Sequence, residues 1–246
     1  MTMVAVDLHM HSILSPCGDS DMTPNNIVNM ALIKELDIIA LTDHNSGKNL
    51  PALMEVARNT GLQILPGMEV TTREEAHVLA YFPTLEDAMA CDTIIYDHLP
   101  NIPNRPDYFG HQYIMDAEDE VVGEVEKLLI SATDLSVNEL QDIVKAHHGI
   151  LVPAHIDRKT YSLIASLGFI PLDLDVGTVE ISKMMDFGDV PKRYPQVKKY
   201  ALIHGSDAHY LEDMAEREYF LDLPDLKRST LLKKLAGKQN DAPEGA

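Results

Sequence analysis

Five short apolar runs in this chain each give way to side chains that bind metal ions. The pieces are His9-Met10-His11, Thr42-Asp43-His44-Asn45, Gly67-Met68-Glu69, Pro153-Ala154-His155 and Gly205-Ser206-Asp207-Ala208-His209. Short apolar runs alternating with helical patterns predict an α/β fold, a parallel sheet covered by helices. Ligands at the carboxyl ends of several strands require those ends to converge, which a closed or nearly closed barrel achieves at one mouth. An open doubly wound sheet fits less well. No G-x-G-x-x-G or Walker pattern follows any strand to suggest a nucleotide cofactor.

The elements follow in order. Val4–His9 reads as a buried first strand. Thr23 caps a helix with Pro24 at its first position and Ile27, Met30, Ala31 and Ile33 at helical spacing. Asp37–Leu41 is a second strand, and a helix through Leu53, Met54, Val56 and Ala57 stops at Gly61. Leu62–Pro66 and His77–Phe82 are the third and fourth strands. Ser136 and Glu139 have capping-box spacing and open a helix that ends near Gly149. A strand at Ile150–Val152, a helix across Tyr161–Leu167, strands at Thr178–Ile181 and Tyr200–His204 and a terminal helix at Leu226–Leu235 complete the pattern. Residues 238–246 read as a loose polar tail.

Residues 84–135 break this rhythm with Pro100, Pro103, Pro106, Tyr108, Phe109 and the acidic run Asp116–Glu120. So long an interruption is expected to be an insertion near the barrel mouth, either a lid or a peripheral excursion. The 246 residues otherwise suit one domain, and 45% hydrophobic content supports a sizeable core.

The net charge of −19 disfavours anionic membranes and long nucleic acids as partners and leaves small molecules or very short oligomers, an anionic one needing local metal and arginine charge. No run approaches the roughly 20 apolar residues of a membrane span. Cys17 and Cys91 do not form a disulfide framework, no signal peptide is evident, and a cytoplasmic location is expected. Nothing in the chain sets its oligomeric state.

His9 and His11 lie two apart and so share one face of a strand, where they can share an ion. Asp207 and His209 repeat that spacing, and Glu69 offers a carboxylate able to bridge two ions. With Asp19, His44, His77 and His155 these side chains supply the nitrogen and oxygen donors that Zn²⁺, Mn²⁺ and Fe²⁺ prefer. Six of the 11 histidines occupy such positions, too many for independent core or surface histidines.

The order HxH, TDH, GxE, H, PAH, SDAH resembles the polymerase-and-histidinol-phosphatase family, PHP, over nearly the whole chain outside residues 84–135 and the tail. The resemblance implies a distorted (β/α)7 barrel, two or three divalent ions (Zn, Mn or Fe) and phosphoester hydrolysis through a metal-bound hydroxide. It implies one ion on His9, His11, Glu69 and Asp207, a second on Glu69, His77 and His155, and a third on Asp19, His44 and His209. Asp21 competes with Asp19 for the last assignment. The resemblance also implies that Arg158, three residues after His155, holds substrate phosphate. Glu69, Asp207, His209 and Arg158 are therefore the expected catalytic residues.

Asp43 and Glu180 are expected to orient ligands. Cys17 reads as a small buried thiol, and His98 and His111 as loop histidines within reach of substrate. The resemblance implies a phosphoesterase acting on a small phosphorylated substrate, a metabolite or nucleotide, as a histidinol-phosphatase-like enzyme or nucleotide phosphatase does. A 5′-end exonuclease on short oligonucleotides, an amidohydrolase-like C–N hydrolase and a non-catalytic metal module remain as alternatives.

Overall fold

The computed structural model describes residues 2–237, and the tail expected at 238–246 lies outside them. Ten strands run in chain order: β1 (Thr2–Asp7), β2 (Ile38–Leu41), β3 (Gln63–Thr71), β4 (His77–Tyr81), β5 (Tyr113–Met115), β6 (Val121–Glu124), β7 (Ile150–Pro153), β8 (Thr178–Ser182), β9 (Ala201–Gly205) and β10 (Phe220–Leu223). The helices are α1 (Pro24–Ile33), α2 (Leu50–Ala57), α3 (Leu85–Asp97), α4 (Pro106–Phe109), α5 (Val137–Ala146), α6 (Leu163–Leu167), α7 (Val190–Arg193) and α8 (Arg228–Leu235). Thr23 caps α1 from its side chain, and Ser136 with Glu139 forms the expected capping box on α5.

The α/β class is as the sequence predicts, with a curled sheet; a full (β/α)7 barrel is not what the hydrogen bonds describe. Six strands form one sheet in the order β10-β1-β2-β3-β4-β7, and β8-β9 form a separate parallel pair. β1, β2 and β3 are parallel, whereas β4 runs antiparallel to both β3 and β7. The antiparallel β3–β4 link is short because Thr72 and Ala76 close a tight turn, leaving no room for a crossover helix. The sequence reading also omitted β10, which pairs antiparallel with β1 at the edge. Beyond the ladders, His11 N–H donates to Ala208 and Ile156 N–H donates to Glu180, bringing the loops after β1 and β7 against the β8-β9 pair.

Two apolar layers result. Val4, Val6, Leu8, Ile38, Leu65 and Leu79 belong to an inner cluster that Leu231, Leu232 and Leu235 of α8 join. Alternate residues such as Ile39, Ile64, Met68 and Val78 meet the surrounding helices instead. Among the described residues no helix is long and apolar enough to cross a membrane.

Residues 84–135 form α3, α4 and the β5–β6 hairpin, and they pack onto the loops that follow β1 and β2. Leu14 shares a small core with Leu99, Val125 and Leu129. Asn45 donates to the Leu129 and Ser131 carbonyls, and Asn49 accepts from Met115 N–H. Because Leu231 is fully buried in the inner layer, Leu231→Ala should destabilise the fold by about 2–5 kcal/mol, measured by urea denaturation.

Candidate metal centre

At the end of β1 the alternation of side chains slips by one residue. Leu8 belongs to the inner core and Met10 to the outer, while His9 and His11 meet above the inner layer with Nε2 atoms 3.3 Å apart. Asp207 N–H donates to the His9 carbonyl and so carries the loop after β9 to the same place. β3 runs on to Thr71, past its expected end at Pro66, and so includes Glu69, held by backbone bonds to Asp43 and Asn45 beside His44. The reversed direction of β4 brings His77, its first residue, to the same mouth.

Five imidazoles surround the buried Glu69 carboxylate. Its Oε1 lies 2.9 Å from His77 Nδ1, 3.2 Å from His155 Nε2 and 3.3 Å from His9 Nε2. Its Oε2 lies 3.1 Å from His44 Nδ1 and 3.5 Å from His11 Nε2. Asp207 Oδ1 is 3.1 Å from His11 and 3.3 Å from His9, and its Oδ2 is 2.5 Å from the Arg158 guanidinium. Burial pushes the Glu69 carboxyl up, but the facing histidines, His77 and His9 foremost, outweigh it and hold the group well below the usual carboxylate range.

Three overlapping groups have the geometry to hold an ion: His9, His11 and Glu69; His44, Glu69 and His77; His11, His44 and His209. The residues present fit cations. His44 Nδ1 and Glu69 Oε2 are buried without a hydrogen-bond partner although they face one another at 3.1 Å, as two donors to one ion do.

A further layer of side chains aims the inner one. Both Glu180 oxygens reach His9 Nδ1, at 2.8 and 3.1 Å, which leaves Nε2 for the centre. Asp43 accepts from the hydroxyls of Ser12 and Ser15, and Ser15 contacts His11 Nδ1 at 3.1 Å. Asp43 and Glu180 thus stand where the sequence reading put them. The two serines were missed, since a serine near a histidine carries no signal until the loop is folded. Below, the Tyr81 hydroxyl donates to the Leu8 carbonyl at 2.6 Å and closes the floor.

The remaining expectations divide. Asp19 is not in the three groups: its Oδ1 accepts from Asp21 N–H, while its own N–H donates to the His209 carbonyl. Cys17 is exposed as a residue, although its sulfur is turned inwards beside His209 and His44. That enclosure raises the thiol pKa, and the two neighbouring histidines outweigh it and bring it down to about 7. His98 and His111 pair with Asp134 and Glu124, away from the centre. His155 and Asp207 adopt left-handed backbone, with φ of 25° and 52°, a conformation that tertiary contacts must hold in place.

A curled α/β sheet with a histidine–carboxylate centre at one mouth defines a class of metal-binding protein. The PHP domain model matches residues 7–155, and the chain belongs to the PHP domain family. It is 34% identical over 76 residues to the 5′-3′ exoribonuclease Rnm of Salmonella typhimurium, covering 30% of this chain and 25% of that protein. Its fold is similar to the lesion-specific endonuclease PfuEndoQ of Pyrococcus furiosus, with TM-score 0.73, 18% identity, and coverage of 97% of this chain and 57% of the other. A structure of Endonuclease Q with a 27-mer duplex bearing an abasic lesion at the active site is similar at TM-score 0.71, 18% identity, 97% of this chain and 58% of the other. A Bifidobacterium adolescentis protein, provisionally described as a metal-dependent phosphoesterase, gives TM-score 0.61 at 20% identity, covering 93% and 96%. This chain thus spans a quarter of Rnm in the matched stretch and little more than half of PfuEndoQ.

These likenesses overturn the expectation that long nucleic acids are disfavoured partners. Net charge is a global quantity that salt screens over about 8–10 Å, so it does not describe the field inside the mouth. Glu180→Gln should weaken binding of the tightest divalent ion about 10- to 100-fold by calorimetry, because His9 loses the carboxylate that orients it.

Proposed function

We propose that this protein is a metal-dependent phosphoesterase acting on nucleotides or nucleic-acid strands. The observation that carries the reading is the buried Glu69 carboxylate ringed by five imidazoles, with the Arg158 guanidinium beside it on Asp207. In this reading His9, His11, Glu69 and Asp207 hold one divalent ion, and Glu69, His77 and His155 a second. His44 and His209 would hold a third, with Asp19, whose backbone bonds His209, as the oxygen donor. Such ions supply Lewis-acid stabilisation of a phosphoryl group and acidify water.

The protein's own groups do the rest. Arg158 is 45% exposed, so its planar fork reaches solvent and suits two phosphoryl oxygens at once. Glu180 and Asp43 hold the imidazole rings in place. The floor under Tyr81 and Leu8 keeps solvent from the lower side of the centre. The segment 84–135 serves as a fixed wall that steadies the loop carrying Ser12 and Ser15. A small phosphorylated metabolite is the second reading, since the exposed Arg158 fork suits a phosphomonoester of any kind.

Protein loaded with Mn²⁺ or Zn²⁺ should hydrolyse 5′-phosphorylated oligonucleotides or nucleotides in a phosphoester panel, and EDTA should abolish the activity. Hydrolysis confined to sugar phosphates selects the metabolite reading. Hydrolysis of amides or cyclic imides alone, or no hydrolysis with ions held, removes the phosphoesterase assignment.

Arg158→Ala should lower kcat/KM on the best substrate about 10- to 100-fold with metal content unchanged, as expected for loss of hydrogen bonds to a charged phosphate. An unchanged kcat/KM would return Arg158 to an ordinary surface role.

A further inference from the structure

The loop between β7 and α6 carries a second functional side chain besides Arg158. Tyr161 is 52% exposed although it stands against the metal centre. One face of its ring stacks on His77, with centroids 4.9 Å apart and planes 24° from parallel. Among the described residues its hydroxyl has no hydrogen-bond partner and its ring no other aromatic neighbour. A tyrosine needed only to fill space beside His77 would bury its ring, whereas this one leaves much of its surface to solvent.

The backbone holds the ring there at a cost. Tyr161 is left-handed, with φ of 56°, which side chains rarely adopt without tertiary support. Its carbonyl accepts from His77 N–H at 2.9 Å, tying the residue to the first position of β4. The buried Ser162 then caps α6 and donates its hydroxyl to the Arg158 carbonyl at 2.8 Å. Arg158 and Tyr161 are therefore fixed with respect to one another on one short loop, a cationic fork and an aromatic plate at the same mouth.

A nucleotide has the complementary pair of features, a phosphate and a planar heteroaromatic base. We propose that Tyr161 is a base-stacking residue, receiving on its open face the nucleobase of a substrate whose phosphate lies at Arg158 and the metal centre. This rests on the phosphoesterase reading and names the part of the substrate beyond the phosphate. Stacking accepts any base, so the subsite favours nucleotides over sugar phosphates without selecting a sequence.

The chain contains no tryptophan, so Tyr161→Trp introduces a single fluorophore at the subsite. With Zn²⁺ bound, a phosphorothioate-linked adenine dinucleotide bearing a 5′-phosphate should quench the fluorescence of this variant saturably, and ribose 5-phosphate should not. Tyr161→Ala should weaken dinucleotide binding relative to ribose 5-phosphate roughly 5- to 150-fold, the range measured for loss of one base stack, and Tyr161→Phe should restore it. Metal content measured on each variant checks that His77 is undisturbed.

The proposal is overturned if the two probes quench equally or neither quenches. It is also overturned if Tyr161→Ala weakens both probes in the same proportion, which is the signature of a buttress for His77. Wild-type hydrolysis without base-dependent quenching removes the stacking role alone. Base-dependent quenching in a protein that hydrolyses no phosphoester removes the catalytic reading alone.

Discussion

A single carboxylate, Glu69, has almost no contact with solvent and faces five imidazoles. An isolated buried carboxylate is costly, so the surrounding chain must supply positive charge in fixed positions. Protonated imidazoles can do this, and so can divalent ions bound between the imidazoles and the carboxylate. The architecture around Glu69 follows from that need: the slipped alternation after β1, the reversed β4 and the left-handed residues at His155 and Asp207 all bring nitrogen or oxygen to one point.

The same need explains the depth of polar groups behind the centre. Asp7, Asp43 and Glu180 are buried carboxylates, and each is satisfied. Asp7 accepts from Ser206 and Ala215 N–H, Asp43 from Ser12 and Ser15, and Glu180 contacts His9. Satisfied in this way they rigidify the loops rather than weaken them. Asn45 and Asn49 extend the network to residues 84–135, so the irregular part of the chain is bound to the most ordered part.

Charge illustrates how a global property can mislead about a local one. The value of −19 describes the whole surface, yet a protein of similar fold, Endonuclease Q, is seen in complex with a 27-mer duplex substrate. The charged groups at the mouth are few and local: Arg158 and the histidine–carboxylate centre. Their field acts over a few ångströms, inside the distance at which salt screens the rest.

The sequence by itself determined the kinds of donor and their order, because metal-binding residues after short apolar runs are a local pattern. It also determined most strands and helices, since caps such as Thr23 and the Ser136–Glu139 box and the apolar periodicities are local too. Only the tertiary structure decided which donors come within reach of one another. His9 and Glu180 are 171 residues apart, and Asp43 reaches Ser15 across 28. It likewise decided that β4 runs backwards, that β10 closes the edge beside β1, that the Asp19 carboxylate accepts from Asp21 N–H while its backbone bonds His209, and that Tyr161 lies on His77. Strand direction, loop path and side-chain contact depend on packing between distant segments, and no short window of residues contains that information.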